Sequence, residues 1–176
     1  MPETKTLSTR WMVASDYDSV MQIERASFDH PWSLDVFLKL QRASSRSCIG
    51  MVAQYRSQIV GFVMYEVLKS RIEILNFAVN PDYRRLNIGS LIVEKLKNKT
   101  IQQKRSELFL SLRETNLGAQ LFFQKCGFLA EAVIEDYYQD TGEAAYVFRN
   151  RLERTGKEFA PGLSPTNRIS KIMESG

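Results

Sequence analysis

Residues 76–90, with the sequence NFAVNPDYRRLNIGS, join an apolar strand to a helix and decide how the chain is interpreted. An apolar run ends at Val79, and Pro81 marks a turn. Two arginines, an asparagine and a glycine follow, and apolar residues then recur at helical spacing from Leu91 onward. A loop that enters a helix N-terminus exposes unpaired backbone N–H groups at the positive end of the helix dipole. The stretch predicts a cradle for a phosphate or pyrophosphate, with an ordinary strand–turn–helix junction as the alternative.

The composition indicates one soluble globular domain and limits the function classes. The chain has 176 residues, of which 44% are hydrophobic and 25% charged. No run approaches the ~18 apolar residues of a membrane span, and the N-terminus lacks the apolar core of a signal peptide, so no membrane partner is expected. Cys48 and Cys126 predict reduced thiols in a cytoplasmic protein, and with the single His30 they show no zinc spacing, so no metal is expected. The net charge of +4 fits an anionic cofactor as well as a nucleic acid.

The order of predicted elements is that of a mixed α/β domain over residues 1–152. A first strand is expected at 10–14, a helix capped by Ser15 or Asp16, and a second helix capped by Ser33. Strands at 48–54 and 59–68 form a hairpin in which Gly61 marks a bulge or a twist. The remaining expected elements are strands at 71–79, 107–113, 128–136 and 144–152, a helix ending near 104, and a helix that runs from Asn116 to Gly127.

The last segment, residues 153–176, has a different character from the rest of the chain. It contains Gly, Pro, Ser, Lys and Arg without sustained periodicity, which predicts a basic, mostly disordered tail with a possible short helix at 169–173. Such a tail is either a solvated extension or a contact with RNA or a ribosome. Nucleic-acid binding is not favoured, because basic and aromatic residues are not interleaved.

Five segments within residues 9–152 together resemble the Gcn5-related N-acetyltransferase (GNAT) family. The resemblance is closest to the bacterial ribosomal-protein-alanine N-acetyltransferases of the RimI type and to other protein N-terminal acetyltransferases. The segments are Ile23–Glu24 with HPWS at 30–33, residues 76–90, LSLRETN at 110–116, FFQKCGF at 122–128, and DYY at 136–138 with GEAAYV at 142–147.

The resemblance implies the GNAT fold and an acetyl-CoA site. The expected fold is a central, mixed, mostly antiparallel sheet of about seven strands that splays between its two central parallel strands, flanked by about four helices. Acetyl-CoA is expected in that opening, with its pantetheine along the strand end at 77–79 and its pyrophosphate on the amides of 84–90. Asn87 stands where the family has a glycine, and Asn is among the few residues that adopt φ > 0. The implied cofactor-binding residues are Phe77, Ala78, Val79, Arg84, Arg85, Leu86, Asn87, Ile88, Gly89, Ser90, Asn116 and Phe123.

The usual catalytic pair of the close relatives is absent. In those relatives a Glu acts as the general base and a Tyr as the general acid. The corresponding residues here are Ser111 and Phe123, and neither can act in the role of the residue it replaces. Histone-type members of the superfamily place their base in an E-x-x-x-x-A-V context, which Glu73 fits. Glu73 is therefore the candidate base, acting through water, and the alternative is a strand-edge charge paired with Arg71. Tyr138 is the candidate acid, and the alternatives are Tyr137, water in place of the missing groups, or two tyrosines that only shape the peptide slot.

The acceptor is expected to lie against the loop near residue 31 and the turn near residue 138. The implied substrate-binding residues are Pro31, Trp32, Tyr137 and Tyr138, with core packing as the alternative for Trp32. His30 could also be offered as a base, but a surface histidine in this loop is the favoured interpretation.

The expected function is acetyl transfer from acetyl-CoA to the N-terminal α-amine of a protein, such as a ribosomal protein, by direct transfer in a ternary complex. At pH 7 a neutral α-amine costs about 1 kcal/mol and a neutral lysine more than about 4 kcal/mol, so an α-amine acceptor better tolerates the loss of the base. The alternatives are a GNAT enzyme for a small amine or a lysine, and a CoA-binding protein with little catalysis.

Overall fold

The computed structural model describes residues 6–42 and 48–152. Within these ranges seven strands form one sheet in the order β1-β2-β3-β4-β5-β7-β6, accompanied by four α-helices, as expected. The pairings β1–β2, β2–β3, β5–β7 and β6–β7 are antiparallel. The predicted tail at 153–176 lies outside the described residues. The elements are β1 (Leu7–Trp11), α1 (Tyr17–Ser27), α2 (Leu34–Arg42), β2 (Cys48–Tyr55), β3 (Gln58–Val67), β4 (Arg71–Val79), α3 (Ile88–Gln102), β5 (Glu107–Arg113), α4 (Leu117–Lys125), β6 (Leu129–Tyr138) and β7 (Glu143–Arg151).

Strand β1 lies three residues earlier than the sequence pattern predicts, so the expected range of 10–14 was wrong. The buried carboxylate of Asp16 explains the difference. It accepts the backbone N–H of Val13 at 2.9 Å and both terminal nitrogens of Arg10, at 2.7 and 2.8 Å. These bonds turn the chain after Trp11, and the apolar residue at position 13 is left outside the strand.

Contacts divide the described chain into two units. One comprises the described residues up to Leu68 together with Ile74–Asn98, and the other comprises Lys69–Glu73 together with the described residues from Lys99 onward. In the first unit, α1 and α2 bury one face against the sheet, because their apolar residues recur at helical spacing. The core of this unit contains Val20, Met21, Ile23, Phe37, Val52, Phe62, Met64 and Ala78.

Gly61 allows α3 to approach β3 closely in this first unit. A Cβ atom at Gly61 would lie 3.1 Å from the Ala78 carbonyl oxygen, with Ile92 and Ile88 of α3 at 3.3 and 3.4 Å. The register between β2 and β3 shifts beside this glycine, where Ala53 pairs with it, so the predicted bulge is confirmed. The strands extend further than expected, and only residues 56–57 remain as the hairpin turn.

In the second unit α4 has the predicted ends. The Asn116 side chain accepts the Ala119 N–H at 3.2 Å, and Gly127 adopts φ 88° just beyond the helix. The loop between β6 and β7 comprises the four residues between Tyr138 and Glu143, because both strands extend further into it than the predicted bounds of 128–136 and 144–152. None of the described helices is long and apolar enough to cross a membrane. The described His, Cys, Asp and Glu side chains form no group of three that could hold a metal ion.

Candidate active site

The loop before α3 has the backbone geometry of an anion cradle. Arg85 and Asn87 both adopt left-handed conformations, with φ 65° and φ 60°. Alternating left-handed residues turn backbone N–H groups toward one side. The Asn87 carbonyl accepts the Leu91 N–H at 3.0 Å, so the N–H groups of residues 88–90 have no acceptor within the helix. The expectation that Asn87 tolerates φ > 0 is confirmed, whereas the conformation of Arg85 was not anticipated.

The two arginines of the cradle have different surroundings. Arg84 Nε donates to the Val79 carbonyl at 3.2 Å and its Nη2 lies 3.5 Å from Ser27 Oγ, so this side chain ties the loop to the end of β4. Arg85 and Leu86 are exposed. Arg85 is therefore the arginine whose charge is more available to a bound anion.

Side chains alternate between the two faces of β4, and this alternation places the predicted site residues of the strand on opposite faces. Asn76 and Ala78 are buried, while Glu73, Phe77 and Val79 are partly exposed on the opposite face. A cofactor that lay along this face would meet Phe77 and Val79 through side chains and Ala78 through its backbone. Arg71 forms an ion pair of 3.7 Å with Glu107 and lies over the Phe109 ring at 4.4 Å.

The segment between α1 and α2 holds two of the four predicted acceptor residues. Pro31 is exposed and Trp32 is partly buried. The Trp32 ring packs edge-on against Phe37 at 5.6 Å, and its backbone N–H donates to Glu24 at 2.7 Å. Trp32 thus belongs partly to the core, in agreement with the alternative considered for it.

In the second unit, Tyr138 lies beside Ser111, the position at which the resemblance implies a base in the relatives. Its hydroxyl donates to the Ser111 backbone carbonyl at 3.4 Å. Burial raises the pKa of Tyr138 to about 12, so the phenol stays protonated at neutral pH. Tyr137 packs edge-on against Tyr138 at 5.0 Å and is 46% exposed. Tyr138 is available as a proton donor, and Tyr137 as a surface contact.

Arg113 organises the turn around Tyr138 and was missed by sequence reasoning. Its guanidinium lies 3.9 Å from the Tyr138 ring centroid and donates to Asp140 at 2.8 Å and to Glu143 at 2.9 Å. Burial opposes its charge, but the hydrogen bonds to Asp140 and Glu143 prevail and the pKa of Arg113 is raised. The Thr115 hydroxyl also donates to Glu143, which ties the end of β5 to the turn. These partners lie 25 to 30 residues apart along the chain, and no local pattern reveals them.

Asn116, which caps α4, and Phe123, which lies within it, differ in what they can offer a ligand. The Asn116 side-chain oxygen is used in the helix cap, which leaves its amide N–H groups to donate outward. Phe123 is 2% exposed and packs between Phe122 and Phe128, at centroid distances of 5.0 and 5.2 Å. Its predicted contact with the cofactor would have to be made by the edge of a core side chain.

The family model of the acetyltransferase (GNAT) family matches residues 17–128, which is more than half of the chain. The chain belongs to the GNAT family. As a GNAT enzyme it is an N-acetyltransferase that takes its acetyl group from acetyl-CoA.

The relatives of this GNAT protein include ribosomal-protein-alanine N-acetyltransferases. The ribosomal protein bS18-alanine N-acetyltransferase of Haemophilus influenzae is 26% identical over 125 residues, which cover 71% of this chain and 83% of the relative. The crystal structure of Ard1 from Thermoplasma volcanium has a TM-score of 0.75 at 26% identity, covering 84% of this chain and 99% of that one. The ribosomal-protein-S18-alanine N-acetyltransferase of Escherichia coli also has a TM-score of 0.75 at 21% identity, with 88% and 99% covered, and shares the GNAT fold.

Proposed function

We propose that this GNAT enzyme transfers the acetyl group of acetyl-CoA directly to the N-terminal α-amine of a protein, of the ribosomal-protein alanine type. The observation that carries the proposal is the pair of left-handed residues, Arg85 and Asn87, immediately before α3. This geometry supports pyrophosphate binding despite the missing glycine. The similarity to bS18-alanine N-acetyltransferases supports the choice of acceptor.

The proposed cofactor site uses mainly backbone groups of the first unit. The amides of residues 84–90 hold the pyrophosphate, Arg85 adds charge, and the strand end at 77–79 pairs with the pantetheine. Asn116 donates a hydrogen bond to the CoA arm, and Phe123 contributes an apolar edge.

The proposed chemistry needs a neutral amine, a group that stabilises the oxyanion, and a proton for the leaving thiolate. Tyr138, which its raised pKa keeps protonated at neutral pH, gives its phenolic proton to the thiolate and regains a proton from water. Glu73 removes the amine proton through water. Pro31, Trp32 and Tyr137 contact the acceptor peptide.

The decisive experiment is steady-state acetylation of a panel of N-terminal peptides, a lysine peptide with a blocked N-terminus, and small amines. We expect turnover with alanine-initiated peptides. Acetyl-CoA binding without turnover on any acceptor would favour a CoA-binding protein with little catalysis, which the loss of the usual pair at Ser111 and Phe123 would explain. Preferred turnover of the lysine peptide or of small amines would instead replace the proposed acceptor.

The cofactor site is tested separately with Arg85→Ala. We expect a weaker affinity for CoA by titration calorimetry, while Arg25→Ala, which removes an exposed arginine from α1, leaves it unchanged. Equal affinities of the two variants would contradict the proposed cradle.

We further propose that residues 1–152 form the catalytic domain, that 153–176 are an appended basic tail, and that the enzyme acts in the cytoplasm. The two free cysteines support this location, because reduced thiols are usual there.

A further inference from the structure

Glu24 is a buried carboxylate in the middle of α1. The residue is 1% exposed and lies on the same helix face as Val20 and Ile23, where an apolar side chain would be expected. Burial raises the pKa of Glu24, while its two hydrogen bonds act in the opposite direction. Within the described residues no cation forms an ion pair with it. A carboxylate that is buried without an ion-pair partner costs stability. Its place on the apolar face of α1 therefore indicates that it performs a specific task.

The two carboxylate oxygens of Glu24 each accept a hydrogen bond from a different part of the chain. Oε1 accepts the Trp32 backbone N–H at 2.7 Å, and Oε2 accepts Nδ2 of Asn76 at 3.0 Å. Asn76 is 9% exposed, so this second bond is enclosed by protein. One side chain therefore joins a loop eight residues away to a strand 52 residues away.

The two donors adjoin the two proposed binding segments. Trp32 belongs to the acceptor loop, and its ring packs on Phe37, which in turn packs on Phe62 at 5.8 Å. Asn76 directly precedes Phe77, the first residue of the strand end assigned to the pantetheine. A shift of the strand backbone on cofactor binding would move the Asn76 side chain and, through Glu24, the Trp32 amide.

We propose that Glu24 is a positioning residue that links the acceptor loop at Trp32 to the cofactor strand at Asn76, so that CoA binding orders the acceptor loop. This inference rests on the proposed function, since that function assigns the two segments to the two substrates. It requires no contact between Glu24 and either substrate. The link acts through one carboxylate and two hydrogen bonds, and either bond can be removed separately.

The direct test is amide hydrogen exchange at Trp32, measured by NMR with and without saturating CoA. In the wild type we expect CoA to slow this exchange by about 5- to 150-fold, the usual range of coupling between two sites. Asn76→Ala breaks the bond to the strand and keeps the bond to Trp32. The Trp32 amide should therefore remain protected in this variant, but CoA should no longer change its exchange. An undiminished CoA effect in Asn76→Ala, or no effect in the wild type, would overturn the proposal.

The conservative variant Glu24→Gln serves as the matched control. Its amide oxygen can accept from Trp32, and its NH₂ group can donate to Asn76 after the Asn76 amide turns over. The CoA effect should therefore survive in Glu24→Gln and disappear in Glu24→Leu. Asn76→Ala provides the same comparison if Glu24→Leu does not fold. Loss of the effect in Glu24→Gln with both hydrogen bonds intact by NMR would count against the proposal.

Kinetics separate positioning from mere structural support. In Asn76→Ala we expect the KM for the acceptor peptide to rise with little change in kcat, because the ordering of the loop is a binding contribution. A variant that is only less folded would instead lose active enzyme, so that kcat falls at unchanged KM. A wild type that binds CoA but acetylates no peptide would refute the proposed acceptor, while the exchange experiment would still decide the role of Glu24.

Discussion

The Arg113→Ala substitution tests whether the turn before β7 holds Tyr138 in a catalytic position. Arg113 lies over the Tyr138 ring and binds Asp140, Thr141 and Glu143 on the same turn. Among the described residues, the Tyr138 hydroxyl has one polar contact, its hydrogen bond of 3.4 Å to the Ser111 backbone carbonyl. Removal of the guanidinium would therefore free both the ring and the loop that carries it.

The expected magnitude follows from these contacts. A cation–π contact with a partly buried ring contributes about 0.5–2 kcal/mol. The pair with Asp140, whose side chain is 43% exposed, adds about 0–1 kcal/mol. If this stabilisation of about 0.5–3 kcal/mol serves to hold Tyr138, its loss corresponds to a decrease in kcat/KM of about 2- to 150-fold.

The assay is a double-mutant cycle on kcat/KM with Tyr138→Phe, an exchange that removes only the hydroxyl group. Tyr138→Phe alone should lower the rate by about 10²- to 10⁴-fold if the phenol is the general acid. In that background Arg113→Ala should have an effect of less than about 2-fold, because there is no longer a hydroxyl group to position.

Arg149→Ala is the matched control for this cycle. Arg149 also pairs with two carboxylates, Glu107 at 2.9 Å and Glu131 at 3.3 Å, and lies over an aromatic ring, that of Phe109 at 5.6 Å. We expect Arg149→Ala to lower the melting temperature of the protein and to leave kcat/KM unchanged when the rate is referred to the concentration of folded enzyme. Additive effects of Arg113→Ala and Tyr138→Phe, or equal effects of the two arginine substitutions on kcat/KM, would refute the positioning role.

Three further predictions concern stability and cofactor binding. Hydrogen bonds from Arg10 lower the pKa of Asp16, so its stabilisation is complete above the unfolded pKa of about 3.9 and is lost as the pH falls through the folded value. Asp16→Asn should be less stable by about 1.5–3 kcal/mol at pH 7 and should approach the wild type in acid by urea unfolding, whereas a constant difference would contradict this. Gly127→Ala should destabilise the protein by about 1–2 kcal/mol, because φ is 88° and a Cβ would lie 3.0 Å from Asn150. Gly118→Ala, whose Cβ would meet nothing within 4 Å, is the control, and equal unfolding midpoints would refute the strain. Asn116→Ser should keep the helix cap and weaken CoA binding, while Asn116→Ala should also lose about 0.5–2 kcal/mol of stability; unchanged CoA affinity in both would exclude the proposed contact.

The fold was predictable where a local pattern determines the element. The bounds of β4 and β5 agree with the sequence-based prediction to the residue, because alternating apolar residues are bounded by polar turns. The displacement of β1 could not be foreseen, since it depends on the Asp16 carboxylate capturing Arg10 and Val13. The turn between β2 and β3 is shorter than predicted. Its length could not be foreseen either, because the pairing with the partner strand decides where each strand ends.

The candidate site was predictable in its backbone segments but not in the side chains that support them. The cradle could be found because its turn residues and the helix start are contiguous. Arg113 and Glu24 act on partners up to 30 and 52 residues away, so their roles depend on the tertiary structure. Glu24 did carry one local signal, since a glutamate four residues after Val20 lies on the apolar face of α1.

The substituted positions Ser111 and Phe123 bear on the kind of acceptor that the enzyme can use. Tyr138 can supply the proton for the leaving thiolate, since its pKa of about 12 keeps it protonated, but a phenol of that pKa cannot serve as the base. Without help from Glu73 the neutral amine comes from the equilibrium in water, which costs about 1 kcal/mol for an α-amine and more than about 4 kcal/mol for a lysine at pH 7. The difference of about 3 kcal/mol corresponds to a rate disadvantage of more than 100-fold for lysine. For a lysine substrate, Glu73 acting through water would have to compensate for this whole rate disadvantage. For a protein N-terminus it would have to compensate for little of it. On the proposed chemistry, Ser111 and Phe123 in place of the pair that the resemblance implies therefore favour the α-amine acceptor.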